Sequence, residues 1–546
     1  MLQAVKKKFF SNIIKIDKIL DRQWPLFVAL VLMVVLRIPN LTEPYWYGDE
    51  GIYLTLGQSM NKGLTLYKDI IDHKTPIIYF LAETHTQLNF RLLLIGWMLA
   101  TTTAFYYVAR TLFKNRAIPT FFATILFVIA TTLPSFEGNI PNGELFVMGF
   151  ILVGMLLLMQ TNYVQQLLYP KKATKKENWL LYLLSGSFLS LGVLTKVPAI
   201  FDVAAVFGFG YFATTNAFFT QKMRSFQEAF HIFKRNVPVW ILLVVGLIIP
   251  VLISIFYFVS KGAGQEYLDF GLLYNFRYAG SWQLPFTNRL LLFFFTLPGK
   301  VVVMAALTLI LTLGKKYISP TYQFILFWFG LSLFASLLSN RPYPHYYLQI
   351  APALALLLSG TVYEAFLAVF SKAARTSKNI LGPLIGLVSI TMFIAILLLI
   401  DVHPYPTVKY YTTFIQLAQG KISAAEYNQR FDVHMKDNYA AVEVMQQCPD
   451  DHLFIWGTNP MLYALADRIP TGRFTVSFHI KDFDAYDETF ADLVEDHPSF
   501  IVVMNDENSE FPQFYEYLEK EYTQTPVKFD NFQLWNKINC TVGDSQ

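Results

Sequence analysis

The chain has 546 residues, of which 54% are hydrophobic, 16% aromatic and only 15% charged. Soluble domains carry about a quarter charged residues, so the composition excludes an ordinary soluble protein. Repeated apolar runs of about 20 residues exclude a β-barrel, whose segments are shorter and alternating, and a net charge of +4 gives no reason to expect a nucleic-acid partner.

In chain order, the apolar runs predict a polytopic α-helical membrane protein with about eleven spans, at roughly 24–40, 91–109, 117–134, 143–161, 179–196, 197–215, 238–259, 291–313, 321–338, 346–370 and 380–400. The first run lacks the pattern of a cleaved signal and reads as a retained span. Basic residues gather in alternate connections: Lys6, Lys7, Lys8, Lys15, Lys18 and Arg22; Arg110, Lys114 and Arg116; Lys171, Lys172, Lys175 and Lys176; Lys222, Arg224, Lys234 and Arg235; Lys315 and Lys316; Lys372, Arg375 and Lys378. The cytoplasmic bias of Lys and Arg puts the N-terminus inside, and an odd number of spans puts the C-terminus outside. At Lys196-Val197-Pro198 a single kinked helix is the alternative to a break between two spans.

The first outer loop, 41–90, is too patterned for a plain connector. Tyr53 to Met60 and Ile77 to Leu88 have helical apolar spacing that predicts interfacial helices, punctuated by Gly63 and Pro76. Residues 1–401 therefore read as a transmembrane unit, and the polar, acidic residues 402–546 as a soluble extracytoplasmic α/β domain. There, Leu453–Trp456 and Phe500–Val503 read as buried strands, and Met461–Asp467, Ala485–Asp496 and Phe511–Glu521 as helices. Cys448 and Cys540 are too few for a zinc site and can form a disulfide only if this region lies outside the cytoplasm.

Every acid cluster near the membrane falls on the outer side. Asp49 and Glu50, set among Trp46, Tyr47 and Tyr53, are either a general base with a neighbour that tunes it or solvated loop acids at a helix start. Lys74, in Asp72-His73-Lys74-Thr75-Pro76, can neutralise a phosphate or merely snorkel to the headgroups. Glu137, Asn139, Asn142 and Glu144 cluster just before a span, where Glu144 either faces a polar cavity or sits at a helix N-terminus. Lys196 needs a counter-charge, from a lipid phosphate or a protein acid. Arg341, in Arg341-Pro342-Tyr343-Pro344-His345-Tyr346, can grip a phosphate through two parallel bonds. An aromatic belt explains the tyrosines but not Arg341 or His345. No nucleotide-binding, zinc-protease or serine-hydrolase motif is present.

The ordered set Gly48-Asp49-Glu50-Gly51-Ile52-Tyr53, Gly63-Leu64-Thr65-Leu66-Tyr67, His73-Lys74-Thr75-Pro76, Asn142-Gly143-Glu144, Thr195-Lys196-Val197-Pro198, His345-Tyr346-Tyr347-Leu348 and Phe454-Ile455-Trp456-Gly457-Thr458-Asn459-Pro460 resembles the GT-C superfamily of polytopic glycosyltransferases. The resemblance is to the bacterial branch of protein O-mannosyltransferases and the lipid A aminoarabinose transferase, and it spans nearly the whole chain. One departure is Lys74-Thr75-Pro76, where many relatives have Lys-Pro-Pro. The resemblance implies an inverting transferase in a bacterial plasma membrane. Its donor is a sugar on polyprenyl phosphate, and its acceptor is a glycan, lipid or protein. Asp49 would be the base and Glu50 its partner. Lys74, Lys196 and Arg341 would hold the donor phosphate, and Tyr53, His73, Asn142, Glu144, His345 and Tyr346 would line the substrate pocket. Metal use varies within such a group; the sequence shows no metal cluster, so no required metal is expected. The competing expectation is a transporter or flippase of a lipid-linked sugar, which would carry its charges near the bilayer midplane.

Overall fold

The computed structural model describes residues 15–168, 177–220, 226–279, 282, 284, 287–370, 381–448 and 450–538. The basic residues at positions 6–8, 171–176, 222–224 and 372–378 lie outside that set. Cys448 is disulfide-bonded; the sequence's other cysteine, Cys540, lies outside the described residues.

Each of the eleven predicted segments carries a helix. Among the described residues, five helices are long and apolar enough to cross a membrane, or six if Arg289–Phe295 and Leu297–Leu313, bent by 75°, count as one span. Ala117–Thr132, Gly143–Met159 and Leu180–Val193, with 16, 17 and 14 residues, are apolar but shorter. At 1.5 Å per residue they reach only about 21–26 Å, against a hydrocarbon core of roughly 30 Å. Length and composition thus yield fewer spans than the eleven expected. At Lys196 the backbone is extended and Pro198 starts a short 3-10 segment, so the chain breaks between Leu180–Val193 and Ile200–Thr220 rather than running on as one kinked helix.

Local chemistry sets the helix ends. Thr86 accepts the Asn89 N–H to start Gln87–Leu112, and Ser319 followed by Pro320 starts Pro320–Ser336. The first outer loop differs from expectation. Its helix, Gly48–Asn61, is packed inside the protein; residues from Glu50 to Ser59 are buried. Glycine permits this, because a Cβ on Gly51 would meet Met461 N at 2.8 Å and one on Gly57 would meet Ala82 O at 2.3 Å. The helix stops at Gly63 (φ 101°), where Gly63 N–H donates to Met60 O and Leu64 N–H to Ser59 O. The expected helix over Ile77–Leu88 shortens to Ile77–Leu81, because Thr86 diverts the chain into the next helix.

Residues 452–537 contain a five-stranded sheet in the order β2-β1-β3-β5-β4. The strands are β1 (His452–Trp456), β2 (Ile469–Pro470), β3 (Phe500–Met504), β4 (Tyr522–Gln524) and β5 (Phe532–Lys537). β1 runs parallel to β2 and β3, while β5 is antiparallel to β3 and β4. Phe454, Trp456, Ile501 and Val503 pack on one face with Phe511, Phe514 and Leu518. Leu453, Ile455, Phe500 and Val502 pack on the other with Val444, Met445 and Leu462. Burial on both faces explains why these strands read as unbroken apolar runs. Helices Pro460–Ala466, Tyr486–Asp496 and Pro512–Glu521 stand close to the expected boundaries. The sheet is stitched to the first outer loop: Ile71 N–H donates to Arg473 O at 2.8 Å, and Thr55 Oγ1 to Pro460 O at 3.2 Å.

Candidate active site

A cavity of about 1540 Å³ opens between the helical bundle and the α/β unit. Its polar end is lined by Asp49, Lys74, Glu137, Lys196, Arg341 and His345. Phe276, Trp282, Leu292, Phe295 and Leu297 make a long apolar flank. Thr458, Pro460, Phe478 and Asp482 close it from the sheet side.

Asp49 lies in the first turn of Gly48–Asn61, where the helix dipole favours an anion. Its Oδ1 is 3.5 Å from Lys74 Nζ, and its Oδ2 accepts from Tyr53 OH at 3.2 Å. Lys74 Nζ is also 3.4 Å from Asp72 Oδ2 and 5.0 Å from the Tyr53 ring centre. The lysine backbone is pinned, since Tyr67 OH donates to Lys74 O at 2.6 Å and Lys74 N–H donates to Tyr79 OH at 3.1 Å. Burial alone would raise the Asp49 pKa, but Lys74, His345 and Lys196 together pull it below the ordinary carboxylate value. Burial would likewise lower the Lys74 pKa, but Asp49 and Asp72 hold it above the usual ammonium value. The pair is therefore ionised at neutral pH.

Glu50 does not join Asp49. Successive residues on a helix point about 100° apart, and Glu50 turns into the bundle, away from the cavity lining. Arg91 grips it with two bonds, at 2.8 and 2.6 Å, and Gln87 Nε2 adds a third at 3.0 Å. The expected catalytic partner is thus an anchor for the helix that carries Asp49.

Lys196 pairs with Glu144 at the start of Gly143–Met159, with its Nζ 4.5 Å from the Tyr346 ring centre. Asn142 is buried outside the cavity lining; its Nδ2 donates to Glu137 O at 3.0 Å and fixes that turn. Tyr53 lies outside the cavity lining and meets it through Asp49 and Lys74. The Arg341 guanidinium stacks on Tyr278 at 4.2 Å and on Trp282 at 5.2 Å. Tyr346 OH is 3.1 Å from Tyr278 OH. His345 Nδ1 is 2.7 Å from Glu137 Oε2, and its Nε2 is 3.8 Å from Asp49 Oδ2.

The sequence shows no metal cluster, but the fold builds a group of metal-ligating side chains. Asp72, His73 and His479 are buried and hold their ligand atoms within 4.8 Å of one another. His73 Nδ1 is 2.9 Å from Asp72 Oδ1 and 3.4 Å from His479 Nε2. Burial pushes the His479 pKa down to about 3, which leaves a neutral imidazole. One carboxylate oxygen and two imidazole nitrogens are a donor set that fits a divalent zinc-like cation. His73 thus faces this group as well as the cavity. His479 carries no local sequence signal, because 406 residues separate it from His73. Lys300, Tyr278 and Asp482 also escaped the sequence reading, each being isolated in an otherwise ordinary segment.

No family model and no curated protein sequence matches the chain. Solved structures do. ArnT from Cupriavidus metallidurans bound to undecaprenyl phosphate superposes with a TM-score of 0.51 at 13% identity, covering 96% of this chain and 100% of that one. The archaeal oligosaccharyltransferase AglB from Archaeoglobus fulgidus, in complex with an inhibitory peptide and a dolichol-phosphate, gives a TM-score of 0.37 at 13% identity over 94% of this chain and 74% of that one. The chain therefore has the fold of ArnT.

Proposed function

We propose that this protein is an inverting glycosyltransferase that moves a sugar from a polyprenyl-phosphate donor to an acceptor hydroxyl at the extracytoplasmic membrane face. The observation that carries the reading is one cavity with an ionised Asp49–Lys74 pair at its polar end and an apolar flank beside it. In this reading residues 1–401 form an eleven-span catalytic unit, with its N-terminus cytoplasmic. Residues 402–546 form the extracytoplasmic domain that closes the site.

The acceptor hydroxyl gives its proton to Asp49. Its oxygen forms the new bond to the anomeric carbon as the bond to the donor phosphate breaks. Lys74, Lys196 and Arg341 receive the negative charge that gathers on the departing phosphate. Lys74 prepares both halves of this step, since it keeps Asp49 ionised before the donor arrives and neutralises the leaving phosphate afterwards. A positioned base supplies about 10²–10⁴-fold; the rest comes from holding donor and acceptor in line. The apolar flank gives the polyprenyl chain a surface to lie on, so the phosphate stays at the cavity mouth. Asp72, His73 and His479 would hold a divalent cation, whose bond to both loop and sheet would fix the position of the neighbouring Lys74.

The test is mass spectrometry of products after purified protein meets a panel of polyprenyl-phosphate sugars with glycan, lipid and peptide acceptors. Asp49→Asn should abolish transfer while undecaprenyl phosphate still binds. Near-normal turnover in that variant removes Asp49 as the base. A flippase reading requires charges along a path through the bilayer; here Asp49 lies 3.5 Å from Lys74 and 3.8 Å from His345 in one cluster.

A further inference from the structure

We propose that Glu137 and His345 form a proton relay behind Asp49, carrying the acceptor's proton from the carboxylate to the imidazole. The proposal rests on the glycosyl-transfer reading and adds two side chains to it. Neither residue is local to Asp49 in sequence. Glu137 sits in a left-handed turn (φ 58°) after Pro134–Phe136, and His345 opens the Pro344–Ile350 segment. The fold points both into the cavity.

The geometry is that of an oriented base. Glu137 Oε2 lies 2.7 Å from His345 Nδ1, so it accepts that N–H and holds the ring as the tautomer with Nε2 free. Tyr47 OH donates to the same Glu137 oxygen at 2.6 Å and lies 2.9 Å from Nδ1. The free Nε2 faces Asp49 Oδ2 across 3.8 Å, a gap that one water spans or that substrate binding closes. The ring cannot easily turn away. Tyr343 stacks on it at 5.9 Å and 10°, and Tyr346 meets it edge-on at 4.7 Å.

A relay answers a difficulty in the simple mechanism. Lys74 keeps Asp49 a weak base, and a proton left on that carboxylate would break the ion pair. Passing the proton to Nε2 restores the Asp49 charge beside Lys74. The imidazolium then lies between the carboxylates of Asp49 and Glu137. The balance is complete: the acceptor oxygen bonds to the anomeric carbon, and the electron pair of the broken carbon–oxygen bond stays on the phosphate. The acceptor proton goes to Asp49, then to His345, then to water once product leaves. Glu137 accepts the Nδ1–H bond throughout and is not itself protonated.

The test uses the full chain in lipid nanodiscs, with a synthetic undecaprenyl-phosphate sugar that the wild type turns over. His345→Ala should lower kcat about 10²-fold, leave undecaprenyl phosphate affinity within about twofold, and regain turnover when imidazole is added. His345→Gln, which keeps a polar amide in place, should fold and bind undecaprenyl phosphate as the wild type does yet turn over as slowly as the alanine variant. Imidazole should not restore Asp49→Asn. Wild-type kcat in His345→Ala, or a loss that imidazole fails to repair, overturns the relay and leaves Asp49 as base. Turnover by Asp49→Asn instead overturns the underlying reading, whatever the histidine variants do.

Discussion

At the scale of residues, the decisive contact is 3.5 Å long, between Asp49 and Lys74. Burial raises a carboxylate's pKa and a neighbouring cation lowers it; in Asp49 the cations win. A base whose pKa is depressed works above that pKa and fails as the pH falls through it. The acid limb of the rate profile set by Asp49 therefore lies below the ordinary carboxylate value of about 3.9. Lys74→Gln removes the largest of the lowering charges and leaves the burial, so the limb should move to higher pH. A profile of kcat/KM against pH checks this, and a limb that stays in place would show that Lys74 does not set the base. Asp49 and Lys74 were both legible in the sequence as charges beside a membrane, though each also had an ordinary reading as a solvated loop acid or a snorkelling lysine. The fold brings them into direct contact across 25 positions of sequence, about half of them in the Gly48–Asn61 helix. Assigning Glu50 as Asp49's partner failed on helix geometry, since neighbours in sequence face different ways. Glu137 was visible as part of an acid cluster, but the direction of its side chain depends on a left-handed turn that the sequence does not announce.

At the scale of elements, the site depends on how firmly Gly48–Asn61 is held. One side rests on Arg91 through Glu50; the other rests on Met461 through the bare face of Gly51. Breaking a buried ion pair strands the other charge and costs about 3–5 kcal/mol. Arg91→Met should therefore destabilise the folded protein by that order and lower transfer with it, read as a drop in the denaturation midpoint in detergent. Arg91→Met combined with Glu50→Leu should recover part of the stability, because the Glu50 charge is no longer stranded; an equally large loss in the double variant would mean that buried Glu43, 3.5 Å from Arg91, sets the cost. Gly51→Val tests the other side. Its added atoms meet backbone that cannot yield like a side-chain tip, so a loss of about 1–3 kcal/mol is expected, checked by the same midpoint. The elements themselves were mostly readable. Spans announced themselves by apolar length, and β1 and β3 by runs buried on both faces. β5 escaped because its inward residues alternate with exposed ones (Phe532, Leu534 and Asn536 inward) in a segment with too little apolar content to stand out.

At the scale of the whole molecule, the cavity belongs to neither part of the chain alone, since residues 47–349 supply most of its charged lining and the α/β unit supplies Thr458, Pro460, Phe478 and Asp482. The two are joined beside Lys74 by the Ile71–Arg473 backbone bond and by Asp72, His73 and His479. Three ligand-type side chains packed this closely form a donor set that a divalent cation would fit. The expectation that transfer needs no metal rested on the lack of a cluster in the sequence, and that lack followed from the long separation of His479 from the other two. Protein purified without chelators should carry about one equivalent of divalent metal, measured by inductively coupled plasma mass spectrometry, and His479→Ala should lose it. Because the ion would join loop to sheet, its removal should lower the thermal midpoint and weaken undecaprenyl phosphate binding through Lys74, with both recovering when the metal is returned. His479→Ala protein that keeps its full metal content would show that the ion sits elsewhere. Wild-type protein that loses its metal with no change in midpoint or binding would show that the tie between the two parts of the chain is made by packing and backbone bonds alone.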